Sequence, residues 1–351
     1  FFVNYVKLKD RIVRKRGERR RTMKKQIPVM KTKLIPPKFR EESLRRSKLT
    51  RKMKTISNYP LTLVHSGAGY GKSTSLALYV SDERIPCCWY SIASSDDDIL
   101  PFLTYLLASI QSIIPTFGKD LASYMNNIDP YIREDEINHL CTLFINEIVN
   151  MAEDITIILD DFHQIEHSYN VNRWMEKLLE HIPENMHLIV SSRSRPVWKP
   201  LRKMKVSHQL LEITKEDLVL TKDEVELLLS DYYDITLNEE QLEEVYRLTE
   251  GWVIALGMIA QQIPNQPILE PVVKEPLLSL YDLFHYLALE VFEKQPPMIQ
   301  QFLEQTSVFD EMDEEICNEI LGISGSGAML QQIHERNLFI QKLGDNQYRY
   351  H

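Results

Sequence analysis

The sequence predicts an α/β fold: a doubly wound parallel sheet, followed by a helical subdomain and a partial winged-helix domain. Three observations carry this prediction. Short, nearly unbroken apolar runs at 61–65, 87–92, 155–160 and 187–192 alternate with segments whose apolar residues recur at helical spacing. Strands apolar on both sides belong in a parallel sheet covered by helices on both faces. The first run ends in a Gly-rich loop that opens a helix, the arrangement that cradles phosphate. After Leu220 the strands stop, and the C-terminal end reads helix, strand, Gly-Asp-Asn turn, strand, as a winged helix does.

The chain begins with a strong charge asymmetry. Residues 1–54 hold 21 Lys/Arg against 4 Asp/Glu, and residues 55–351 hold 20 against 46, so the overall −9 describes neither part. Residues 7–25, KLKDRIVRKRGERRRTMKK, have almost no apolar pattern, and such a run cannot offset its ordering entropy. It admits three readings: a nucleic-acid arm, a solvated tail, or sequence upstream of a start at Met23 or Met30. We take residues 1–30 as a basic disordered tail, 31–215 as the nucleotide-binding domain, 216–265 as a helical subdomain and 266–351 as a truncated helical and winged-helix domain.

In order, LIPPKF is extended around its Pro pair, and SLRRSKLTRKM forms a short helix. LTLVH (61–65) is the first strand, KSTSLALYVSD a helix and CCWYSI (87–92) the second strand. Helical spacing marks 99–115, 137–151 and 171–182, ITIILD (155–160) and HLIVSS (187–192) are buried strands, and HQLLEIT (208–214) is the last. Thr221 with Glu224 and Asn238 with Gln241 have capping-box spacing ahead of two helices, and a third runs from about Trp252 to Gln262. PNQPILEP (264–271) is a Pro-rich boundary, and the chain stops in the second wing strand, so we expect a fragment of something longer.

Composition excludes several classes. Four cysteines, none in a C-x-x-C pair, make neither a disulfide scaffold nor a zinc site, and free thiols point to the cytoplasm. No apolar run reaches the roughly 18 residues of a membrane span, and no apolar segment follows the basic start as in a signal peptide.

The strongest motif is Ser66-Gly67-Ala68-Gly69-Tyr70-Gly71-Lys72-Ser73, a P-loop in which Ser66 stands at the position of the first Gly. Its glycines let backbone N–H groups turn inward toward phosphates, Lys72 reaches the β- and γ-phosphates, and Ser73 ligates Mg²⁺. Asp160 and Asp161 end the strand ITIILD, where a P-loop needs its acid. Asp160 is read as the Mg²⁺ holder and Asp161 as the group that orients or deprotonates water, against the alternative of turn residues. Arg193, after the next strand, either senses the γ-phosphate and stabilises its charge or is a surface residue of the SRSRP turn. DDFHQIEH lacks helical metal-ligand spacing, so no independent zinc site is expected. The basic stretch RSRPVWKPLRKMK (193–205) is read as a solvated loop rather than a nucleic-acid contact.

From about Thr32 onward, the stretches TKLIPP, SLRRSKL, SGAGYGKST, WYSI, ILDDFHQI, LIVSSRSRP, DLVLTKDEVELLL, LTEGWVIALGM and NLFI…YRYH resemble, in family order, the N-terminal half of MalT-like, LuxR-type transcriptional regulators. These are STAND-class P-loop NTPases. The resemblance implies ATP/ADP binding with Mg²⁺ over Ser66–Ser73 and Thr74, and a switch between a closed ADP form and an ATP form that self-associates. It implies a small-molecule inducer bound by regions outside this chain, DNA bound only through a missing C-terminal domain, and no membrane. Gly251–Leu256 is similar to the GLPLAL motif of related apoptosis and plant-resistance proteins, which places Trp252 either beside adenine or in the core. The ending Tyr350-His351 resembles the start of a motif whose His touches the ADP β-phosphate, against an exposed or structural His351.

The reading is therefore an ATP-dependent regulatory switch with weak, slow ATPase activity. Two alternatives stand beside it: a stand-alone P-loop ATPase of AAA/ORC type, and a nucleotide-gated scaffold that does not hydrolyse.

Overall fold

The computed structural model describes residues 28–38, 44, 46–128, 132–262, 291–309, 311–336, 338–344 and 346–350. Most of the basic tail, the Pro-rich break at 264–271, the remainder of the expected helical and winged-helix domain up to residue 290, and His351 lie outside the described residues.

Five parallel strands form the main sheet: β1 (Leu61–His65), β2 (Cys87–Ser91), β3 (Ile155–Asp160), β4 (Met186–Ser192) and β5 (Leu210–Ile213). Their order is β2-β3-β4-β1-β5, all parallel. The strand period of two divides their side chains between two cores. Leu61, Leu63, Tyr90, Ile157, Leu159, Leu188 and Val190 enter one apolar cluster, while Val64, Trp89, Ile158 and Ile189 enter the other. Each strand is thus apolar on both faces because each face carries helices.

The first cluster is packed by the helices Ile99–Gln111, Glu134–Val149 and Tyr169–Glu180, through Phe102, Phe144 and Trp174. The second is packed by Ser47–Met53 and Lys72–Asp82, through Leu49, Met53 and Leu76. The helix expected over 99–115 ends at Gln111, and a further helix, Lys119–Asn127, follows after Gly118 takes a left-handed φ of 79°. The stretch read as a solvated loop at 193–205 is corrected. It contains the helix Leu201–Val206, and Trp198, Leu201 and Met204 are buried in the first core, while Lys199, Arg202, Lys203 and Lys205 stay exposed. Arg193 and Arg195 are half-buried, Arg195 pairing with Glu212 at 2.6 Å, and the apolar residues recur at helical spacing and anchor the stretch.

Beyond the sheet, both capping boxes form. Thr221 Oγ1 accepts the Glu224 N–H at 3.3 Å and Asn238 Oδ1 accepts the Gln241 N–H at 2.9 Å, opening the helices Lys222–Leu227 and Glu239–Thr249. The first continues as a π-helical turn, Leu228–Tyr232. With Val253–Gln262 these helices enclose a separate core around Val225, Leu229 and Leu256.

The C-terminal unit has the helices Pro297–Thr306, Glu314–Leu321 and Ser326–Glu335, with β6 (Glu311–Met312), β7 (Ile340–Lys342) and β8 (Tyr348–Tyr350). Both pairings of the sheet β6-β8-β7 are antiparallel. The helix Ser326–Glu335 and the strands β7 and β8 fall where the sequence places them. β6, only two residues long, carries no readable periodicity. This winged helix touches both preceding units: Ala68 of the loop after β1 packs against its core, and Arg349 pairs with Glu250 of the helical subdomain at 2.9 Å.

Candidate nucleotide site

The C-terminal ends of β1, β4 and β3 lie side by side, and at or just beyond them stand Ser66–Ser73, Arg193 and Asp160-Asp161. In open parallel sheets ligands bind outside these strand ends, where successive connections diverge. Here β1 is followed by β2 at the far edge and β4 by β5 on the other side.

The loop after β1 turns at two left-handed glycines, Gly69 (φ 75°) and Gly71 (φ 77°), and Lys72 begins the helix Lys72–Asp82. A side chain would be strained at either glycine. Lys72 is buried, and its Nζ donates to the Ser66 and Gly67 carbonyls, each at 2.8 Å. Burial pushes its ammonium down to about 8; Asp161 and Asp160 oppose that shift and Arg193 adds to it. Arg193 is thus within electrostatic reach of Lys72. Ser66 is fully buried, so the residue replacing glycine here fits without exposing its hydroxyl.

Ser73 Oγ donates to Asp160 Oδ1 at 2.8 Å, across 87 residues. Asp160 is 3% exposed, and burial together with the neighbouring Asp161 charge pushes its carboxyl above the usual range. Ser191, on β4, donates to the same Oδ1 and accepts the Asp161 backbone N–H at 3.2 Å. Asp161 occupies the left-handed region (φ 61°), with its side chain 44% exposed. His163 Nδ1 lies 3.8 Å from Asp161 Oδ1, and burial, aided by Arg193 and Lys72, holds its imidazole down near 3, so it is neutral at ordinary pH. Among the described residues no cluster of three or more His, Cys, Asp or Glu forms a separate metal site.

Ser66–Ser73, Asp160, Asp161 and Arg193 therefore come together. Thr74 follows on the helix and is exposed. Trp252 joins them from the helical subdomain: its Nε1 donates to the Ala68 carbonyl at 2.9 Å, and its ring stacks on Tyr70 at 5.9 Å. It belongs neither wholly to a core nor to an open pocket wall. Ser191 is the polar partner that the sequence reading missed; its signal was a hydroxyl at the end of a buried strand beside the acid-bearing one. The donor set fits a magnesium–nucleotide complex. A hydroxyl and a buried carboxylate already share a hydrogen bond, and an ammonium rests on the carbonyls of its own phosphate loop.

The sheet, its phosphate loop and the appended winged helix define a P-loop NTPase fold joined to a winged-helix unit. A Walker-type ATPase of Pyrococcus abyssi shares this fold at a TM-score of 0.59 and 17% identity, over 92% of this chain and 97% of that one. Within this fold, the sequence is similar to that of MalT regulators. Residues 288–351 match the MalT winged helix domain. The HTH-type transcriptional regulator MalT of Yersinia pestis (strain Pestoides F) is 28% identical over 320 residues, covering 90% of this chain and 34% of the relative. That of Vibrio cholerae is 28% identical over 329 residues, covering 91% and 35%. The chain spans about a third of the length of these curated relatives.

Proposed function

We propose that this chain is the nucleotide-responsive part of a MalT-like transcriptional regulator. It binds ATP or ADP with Mg²⁺ at the ends of β1, β3 and β4 and hydrolyses ATP slowly. The observation that carries this reading is the juxtaposition of Lys72, Ser73 and Asp160 beneath a loop turned by two left-handed glycines. Bound Mg²⁺ would neutralise phosphate charge between the Ser73 hydroxyl and the Asp160 carboxylate. Lys72 would exchange its two loop carbonyls for phosphate oxygens. Asp161 would orient water, and Arg193 would stabilise charge on the terminal phosphate.

The proposed output is a population shift. The winged helix touches the loop at Ala68, so a ligand that changes the loop biases the packing of the two units. The ATP-bound form would self-associate in the cytoplasm, under a small-molecule inducer and DNA contacts supplied by the rest of the longer protein. We assign residues 31–215 to nucleotide binding, 216–265 to the helical subdomain and 266–351 to the winged-helix region. No helix among the described residues is long and apolar enough to cross a membrane.

Steady-state ATP turnover tests the switch against a motor. We expect a rate well below the roughly 1–100 s⁻¹ of working phosphoryl-transfer enzymes. A rate within that range would favour the stand-alone ATPase, and nucleotide binding with no single-turnover hydrolysis would favour the scaffold.

A further inference from the structure

A phosphate loop presents N–H groups to its ligand on one side, so its carbonyls face outward and need partners. Here two of them are taken by the helical subdomain. Trp252 Nε1 donates to Ala68 O at 2.9 Å, and the Ile254 backbone N–H donates to Gly69 O at 3.2 Å. The contact is close-packed: a Cβ added at Gly69 would lie 2.5 Å from Ile254 Cγ2 and 3.1 Å from Trp252 Nε1. Trp252 also stacks on Tyr70, with ring planes 28° apart, and Lys215 Nζ lies 5.5 Å from the Tyr70 ring centre.

The segment that makes this grip is itself held. Glu250 and Gly251 take consecutive left-handed conformations (φ 47° and 73°), and a side chain at Gly251 would collide with the Leu220 carbonyl. The Leu220 N–H donates to Gly251 O at 3.0 Å, and Trp252 N donates to Thr249 O at 2.8 Å. Nearby, the Arg46 guanidinium donates to the carbonyls of Asp217, Leu218 and Val219 and to Glu224. The turn at 250–252 is thus braced against the connection between β5 and the helical subdomain.

We propose that Trp252 is a positioning residue for the phosphate loop. Its indole N–H holds the outer carbonyl of Ala68, beside the Ile254 amide that holds that of Gly69, so that the loop amides stay aimed at a polyphosphate chain, and it does not read the base. The inference rests on the nucleotide reading of the loop and adds a route by which the helical subdomain sets phosphate affinity.

The test uses Trp252→Phe, which keeps an aromatic ring and removes the N–H. ATP, ADP, GTP and inorganic tripolyphosphate are titrated calorimetrically into the 351-residue chain and the variant. Amide hydrogen exchange of the 66–73 peptide is followed without ligand. Losing one hydrogen bond predicts an affinity loss of about fivefold, equal for ADP and tripolyphosphate, with the ATP-to-GTP ratio unchanged. Exchange in 66–73 should quicken while that of the sheet strands is unchanged. Unaltered tripolyphosphate affinity and loop exchange would overturn the proposal. So would loss confined to the nucleotides with a collapsed ATP-to-GTP ratio, which would make Trp252 a base contact. A wild-type chain that binds none of the four ligands removes the nucleotide reading itself, an outcome distinct from binding that is indifferent to Trp252.

Discussion

The Ser73 hydroxyl donates to Asp160 Oδ1 at 2.8 Å, joining the first turn of the helix after β1 to the end of β3. With its proton on Asp160, the Ser73 oxygen keeps its lone pairs for a cation. Asp160→Asn replaces the carboxylate with a neutral group of nearly the same shape. It should leave Mg²⁺-free ADP affinity unchanged and reduce the gain in affinity on adding Mg²⁺ by at least about tenfold, or about 1.4 kcal/mol. Calorimetry with and without chelator measures both. An undiminished Mg²⁺ effect would remove Asp160 from the metal site.

Ser191 links both aspartates, donating to the Asp160 carboxylate and accepting the Asp161 amide. Outer partners of this kind typically govern metal affinity by about 10–100-fold. Ser191→Ala should weaken Mg²⁺-dependent nucleotide binding toward that range and slow single-turnover hydrolysis, whereas Ser191→Thr restores both. If the alanine variant titrates Mg²⁺ as wild type does, Ser191 only fills the strand end.

Stability at the far sheet edge depends on a different pair. Lys33 Nζ meets both Asp96 oxygens at 2.8 Å; Asp96 is 2% exposed and also accepts from Tyr90 Oη and the Ala93 N–H. Removing one partner of a buried pair leaves an uncompensated charge. Lys33→Met should lower unfolding free energy by about 3 kcal/mol in denaturant titration. A change within about 0.5 kcal/mol, the range of ordinary surface substitutions, would show that the hydroxyl and amide donors alone satisfy Asp96.

Much of this was legible in the chain. Buried parallel strands such as ITIILD advertise themselves because both faces are apolar, and Gly-Lys-Ser after a strand has a mechanical reason to exist. Thr221 and Asn238 cap their helices because the capping box is local chemistry. The rest depends on contacts that cross the fold. Trp198, Leu201 and Met204 were hidden by the exposed lysines and arginines around them. Ser191 looked like any strand-end serine until β3 lay beside β4, and Trp252 meets Ala68, 184 positions earlier, only because the chain folds back on itself.

The central claim is that a nucleotide polyphosphate binds where Lys72 now rests on the Ser66 and Gly67 carbonyls. The most direct measurement is calorimetric titration of ADP and of ATP with Mg²⁺ into the wild-type chain and Lys72→Ala, both checked for an unchanged far-ultraviolet circular dichroism spectrum. We predict saturable one-to-one binding by the wild type and a loss of at least about a hundredfold in the variant, or about 2.7 kcal/mol. Equal affinity in the two proteins, or no binding to the folded wild type, would contradict it.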